Sequence, residues 1–337
     1  MAIVVWRLGV EPEREPQRAE NPEAHNRYVH AAELARTGDS AAIAKSVEFY
    51  ESALKADPDY ALAWAGLARA LTALANMGEV RPNEVLPKAA DAAARALKLD
   101  ERLPEAHYGA GRVRVMYEHD WVAAEQAFLR AIELDPKYVE AHYDYARLVL
   151  TPTLRFTDAA EHLKSAIALD PSDAALATEL ANTYILARRL HESAQPVEAA
   201  RRLAPEASET FVMLGLAASA KGNLEEALGR FAEAARHSRS NRVLGHLGYT
   251  LARLGRKDET AKIVAELERV PAGKEPADYE LCVIHTALGE IDQAFAELER
   301  AAGLLSPATL WIKVDPRLED LRRHSRFRVL LRDMRLE

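Results

Sequence analysis

An all-α chain is predicted, a right-handed α-solenoid of about eight helical hairpins closed by a C-terminal capping helix. Three observations predict it. A small residue recurs at Ala53, Ala96, Ala131, Ala166, Ala200, Ala234 and Ala301, with Leu267 in the same phase, in steps of 43, then 33 to 35. A second series (Ala68, Gly111, Ala146, Ala181, Gly215, Gly248, Cys282) and a third (Ala89, Ala124, Ala159, Ser193, Ala227, Thr260, Ala294) keep that register, which chance apolar stretches do not do. Composition agrees: 49% of residues are hydrophobic but only 7% are aromatic, so the apolar surface is built from small groups that let helices approach closely.

In chain order, residues 1–20 form an N-terminal arm and charged linker, MAIVVWRLGV followed by EPEREPQRAE. The arm is too short to span a membrane and lacks the basic start of a signal peptide. The superhelix is expected over 21–303, with first helices at 22–37, 59–77, 103–118, 138–151, 173–188, 207–221, 241–254 and 275–288, each followed by a partner. Pro58, Pro136, Pro171 and Pro205 follow the second helices and stop them. The step of 43 implies about nine extra residues, assigned to a loop NMGEVRPNEVLP in which Pro82 and Pro87 interrupt the helix. Pro196 falls inside a second helix and should kink it or delay its start. Asp120 reads as the cap of the helix beginning at Trp121. Thr309 to Val314 (TLWIKV) reads as a short strand, and 304–337, with Leu318, Leu321, Phe327, Leu330 and Leu331 at helical spacing, reads as the C-terminal cap.

The spacing resembles the tetratricopeptide (TPR) family, whose pattern places small residues at positions 8, 20 and 27 and Pro at 32. The unit from Ser208 to Asn241 matches best, with Leu214, Gly215, Gly222, Ala227, Phe231 and Ala234 where that pattern puts them. A narrower resemblance rests on NPEAHNRYVHAAELA, YEHDWVAAEQAFLRAIELDP and VDPRLEDLRRHSRFRVLLRDM. These are similar to the TPR portion of bacterial winged-helix transcription regulators and adenylate-cyclase-like signalling proteins. That resemblance implies a partner-docking module whose output activity lies elsewhere.

In such a superhelix the first helix of each pair lines a concave groove, so the resemblance points to Arg69, Tyr108, Arg112, Tyr143, Asp144, Arg147, Asn182, Tyr249 and Tyr279 as partner-binding residues. HYGAGR and HYDYAR set Tyr and Arg one helical turn apart on neighbouring helices. Arg accepts a carboxylate in a two-pronged contact and Tyr offers broad contact, which suits an acidic, extended or helical segment of a protein or peptide partner. The same arginines can instead neutralise Glu105, Glu140, Asp144 and Glu179 within the groove. The family's carboxylate clamp is only partly matched, so capture of a peptide C-terminus is not expected.

Catalysis is not expected. The chain has no HExxH, no phosphate-binding glycine loop and no nucleophile elbow, and one cysteine, Cys282, excludes a disulfide within the chain and a multi-cysteine metal site. Cys282 reads as core, and His107 and His142 as packing residues. No metal, cofactor or direct nucleic-acid contact is expected, the formal net charge being -8. The default address is cytoplasmic. A second function stays open: a structural homo-oligomerisation module in which the arm and TLWIKV pair through strand edges, giving a homodimer.

Overall fold

The computed structural model describes residues 21–269, 271 and 273–337; the N-terminal arm lies outside them. Among the described residues there are seventeen α-helices and no strand. Sixteen pair as α1 (Pro22–Arg36) with α2 (Ser40–Ala56), α3 (Ala61–Asn76) with α4 (Pro82–Leu99), α5 (Pro104–Met116) with α6 (Trp121–Leu134), and α7 (Val139–Asp144) with α8 (Phe156–Leu169). The others are α9 (Ala174–Leu186) with α10 (Leu190–Leu203), α11 (Ser208–Ala220) with α12 (Leu224–His237), α13 (Asn241–Arg253) with α14 (Lys257–Leu267), and α15 (Asp278–Leu288) with α16 (Ile291–Gly303). α17 (Ser325–Asp333) closes the chain.

The small-residue series is where paired helices cross. Ala53, Ala96, Ala131, Ala166, Ala200 and Ala234 are fully buried, as are Ala68, Ala146, Ala181 and Cys282. Gly215 shows why the series is small. A Cβ built there would lie 2.5 Å from the Phe231 ring of the partner helix, closer than van der Waals contact allows. Gly215→Ala is therefore expected to destabilise the chain by about 1–3 kcal/mol, the usual cost of overpacking, read as a lowered urea midpoint.

Helix ends follow local chemistry. The Asp39, Asp120 and Asp173 carboxylates accept from the backbone N–H groups of Ala42, Ala123 and Ala175 at 2.8, 3.0 and 2.8 Å, satisfying donors that have no partner within the helix. Asp57, Asp135 and Asp170 leave the helical region at the ends of α2, α6 and α8, the conformation that a following proline favours.

Three features differ from expectation. The insertion is not a twelve-residue loop. Asn76 ends α3, residues 77–81 turn, and Pro82 begins α4, since the first helical position needs no N–H donor; Pro87 is carried inside α4. Pro196 likewise sits buried within α10, which begins at Leu190, so the delayed start, one of the two effects expected of it, does not occur. TLWIKV is not a strand: Pro307–Trp311 is a 3₁₀ helix, with Leu310 and Ile312 each 1% exposed. It offers no strand edge, which removes that support for self-association.

One feature was not expected. Tyr145–Leu150, which continues α7, is π-helical, and the Thr151 N–H donates to the Ala146 carbonyl, five residues back, at 2.9 Å. Helix starts at Pro104, Val139 and Ala174 are 35 residues apart, whereas Ala174 and Ser208 are 34 apart. The step does not by itself bring the wide turn, since the third hairpin has the same step and α5 is α-helical throughout.

Candidate functional site

The solenoid closes on itself. The Glu275 N–H, in the segment between α14 and α15, donates to the Gly78 carbonyl at 3.1 Å, and the Lys274 ammonium stands 3.0 Å from the Glu79 carboxylate. Nearby, the Trp121 indole N–H donates to the Met334 carbonyl at 2.7 Å, and the 3₁₀ helix Pro307–Trp311 packs on α5. The segment 304–337 thus does more than cap α16. It bridges the eighth hairpin to the third, because its apolar residues, among them Leu310, Ile312, Leu318 and Leu336, share one buried cluster with Tyr108, Val115 and Trp121.

Closure converts the concave face into a chamber of about 1490 Å³. Of the residues expected to bind a partner, Tyr108, Arg112, Tyr143, Asp144, Arg147, Asn182, Tyr249 and Tyr279 line it; Arg69 does not, and lies 3.9 Å from Glu140. The Tyr and Arg pairs touch within themselves. Guanidinium carbons stand over tyrosine rings at 5.8 Å for Arg112 on Tyr108, 5.6 Å for Arg147 on Tyr143 and 5.8 Å for Arg253 on Tyr249, which is cation–π range.

Two of these groups are structural in their contacts. Arg112 is 6% exposed and Asp144 2%. Arg112 pairs with the Asp144 carboxylate and also donates to the Thr72 hydroxyl at 2.8 Å, while the Tyr108 hydroxyl donates to Asp144 at 2.7 Å. Burial opposes ionisation of Asp144, yet Arg112 and Arg147 outweigh it and hold its carboxyl below the usual range. The neutralising role weighed for the arginines is the one Arg112 occupies. The far wall repeats this motif: the Tyr279 hydroxyl donates to Asp315 at 2.8 Å, and Arg317 pairs with that carboxylate at 2.7 Å. Asp315 and Arg317 carried no repeat signal in the sequence, because they lie beyond the last hairpin.

Arg147 is less satisfied. Carried on the π-helical turn, its side chain is 15% exposed and its Nε, 3.5 Å from Asp144, has no hydrogen-bond partner. Asn182 donates to Glu179 at 3.3 Å. Burial pushes the Glu179 and Glu280 carboxyls up, partly offset by nearby arginines. Among the described residues, eleven arginines and lysines line the chamber against ten aspartates and glutamates, whereas the whole chain has 44 against 52. Arg242, missed by sequence reasoning, lies on this wall and pairs with Glu209 at 2.5 Å.

Elsewhere, the histidines read as packing residues take polar neighbours: His142 Nδ1 meets His162 Nδ1 at 3.0 Å and His107 meets the Glu101 carbonyl at 2.8 Å. Among the described residues no group of three or more His, Cys, Asp or Glu is placed to hold a metal ion, and no helix is long and apolar enough to cross a membrane.

Residues 212–274 match the family model of the tetratricopeptide repeat. No curated protein matches the chain. Among solved structures, yeast Tom70 superposes with a TM-score of 0.56 at 15% identity, over 96% of this chain and 69% of that one. PilW, a widely conserved type IV pilus biogenesis factor, gives 0.53 at 21% identity, over 68% of this chain and 99% of that one. A chain of the Cut9-Hcn1 hetero-tetramer of the APC/C gives 0.54 at 13% identity, over 87% and 52%. At these identities the likeness is one of fold: an α-solenoid of tetratricopeptide type.

Proposed function

We propose that this tetratricopeptide-repeat solenoid is a non-catalytic scaffold that binds an acidic segment of a protein or peptide partner in its chamber. The observation that carries the reading is the reversal of charge balance. A chain with a net charge of -8 places a slight excess of basic residues on its concave wall, and burial raises the carboxyls of Glu179 and Glu280 there toward neutrality. A recessed surface of that kind favours negative charge. Tyr143, Tyr249 and Trp311 on the same wall supply contact area, and Arg253 presents an exposed guanidinium there.

The test is fluorescence polarisation with two matched sets of labelled ten-residue peptides, one rich in Glu and Tyr, the other in Lys and Tyr. The acidic set should bind, more weakly as salt rises, and Arg242→Glu/Arg253→Glu should weaken binding by about tenfold or more, the order of 1.4 kcal/mol. Equal binding of both sets, or an unchanged affinity in the variant, would remove the reading. A place in a regulatory or signalling system, which the narrower resemblance implies, belongs to this proposal.

A further inference from the structure

The seam that closes the solenoid has two unlike edges. On one, Trp121 is 7% exposed, and Met334 and Leu336 beside it are each 2% exposed, so parting that edge exposes a continuous piece of core. On the other, the contact among the described residues consists of the Glu275 to Gly78 hydrogen bond, the Lys274–Glu79 ion pair, whose side chains are 45% and 33% exposed, and the Glu275 side chain laid against Gly78. An exposed ion pair and a single hydrogen bond resist opening far less than a buried indole does.

The polar edge also carries its own source of instability. Burial pushes the Glu275 carboxyl up to about 8; Glu280 and Asp278 add to that, and a hydrogen bond from Ser306 opposes it. At neutral pH the closed edge therefore holds a carboxyl in its neutral form that exposure to water would ionise, which favours the parted state. Gly78 and Gly273 have φ of +72° and +86°, conformations glycine adopts without strain and leaves as readily. The backbone can move at both lips.

We propose that the chamber is gated at this edge: residues 77–81 and 273–275 part while the Trp121 edge holds, and the partner's segment enters sideways. A segment admitted in this way needs no free end. It can be internal to the partner and tethered to folded structure on both sides. That the segment is acidic rests on the function proposed above; the gate itself does not.

The two edges each offer a hydrogen that reports opening, and no ligand is needed to read them. In native-state hydrogen exchange by NMR, the Glu275 amide should exchange at least tenfold faster than the Trp121 indole after correction for intrinsic rates. Lys274→Ala should speed the amide further, roughly fivefold for an exposed pair, and leave the indole unchanged. Equal protection at both sites, meaning that the ring opens only by unfolding, or faster exchange at Trp121, would overturn the gate.

A lock gives the second arm. A Cβ at position 78 would lie 3.8 Å from the Glu275 Cβ, a separation that suits a disulfide, and the strain of a side chain at φ +72° is common to the oxidised and reduced forms compared. Cys282 is the sole cysteine of the chain, is fully buried and has a thiol whose ionisation burial suppresses, so it does not compete. The probe is the Glu/Tyr-rich decapeptide inserted in a surface loop of a folded carrier, so that both its ends are tethered. Oxidised Gly78→Cys/Glu275→Cys should bind it at least tenfold more weakly than the same protein reduced, and reductant should restore binding. Equal affinity in both states would sink sideways entry. If the wild type binds no acidic probe, the occupant proposed above falls, and the exchange experiment still decides the gate.

Discussion

Asp144→Asn is expected to destabilise the protein by about 3–5 kcal/mol, the cost of removing one partner of a buried ion pair. The shape of the side chain is kept, so the loss is electrostatic. Arg112 stays charged and buried at 6% exposure, with only neutral acceptors left to it, the Thr72 and Tyr108 hydroxyls and the amide oxygen of the new side chain, and Arg147 loses its nearest carboxylate as well. Urea unfolding followed by circular dichroism measures the loss. Replacing both partners, as Arg112→Met/Asp144→Leu, should recover much of it, because no charge then remains in the interior.

Acid supplies an independent check of sign. Asp144 ionises below the usual carboxylate range when folded, so its contribution is present above about pH 4, the unfolded value, and is lost as pH falls through the folded one. The stability gap between wild type and Asp144→Asn should therefore be widest near neutrality and shrink as the pH drops below about 4. A gap that persists unchanged at pH 3 would mean that packing, and not charge, sets the value of this residue.

Trp121→Ala should be comparably costly, about 3–5 kcal/mol, but its effect should be local in a way the first is not. The substitution removes the ring that holds segment 304–337 on the third hairpin and leaves the Met334 carbonyl without its donor. In a solenoid, hairpins that contact only their neighbours can retain structure when a distant contact fails. The expected result is loss of exchange protection in 304–337 and around α5, with α1 to α3 little changed, together with a larger radius of gyration by X-ray scattering as the ring opens. Trp121→Phe keeps the apolar body and loses the indole N–H, so it should fall between the two, near 1–2 kcal/mol. An unchanged radius in Trp121→Ala would show that the ring does not depend on this edge.

The sequence by itself determined the hairpins. Helix–helix crossings need small residues at fixed intervals, so the register at Ala53, Ala96 and Ala131 was legible before any coordinate, as was the place of the first helices to within three residues at either end. The cap at Asp120 was legible for the same reason: it is set by a donor three residues away. Prolines misled where their effect depends on position within a helix, as Pro82 and Pro87 show. The candidate site was half legible. The resemblance pointed to residues of the concave wall, but not to which of them would turn toward one another. Tyr108, Arg112 and Asp144 meet across hairpins, and a repeat pattern states what each helix presents without stating what faces it. The π-helical turn under Arg147 was not legible, because the third hairpin has the same step of 35 with a regular α5. Ring closure was not legible at all. It joins Trp121 to Met334 and Gly78 to Glu275, pairs set by the accumulated twist of the stacked hairpins; small rotations at each interface add up over the solenoid, and only the tertiary structure carries their sum.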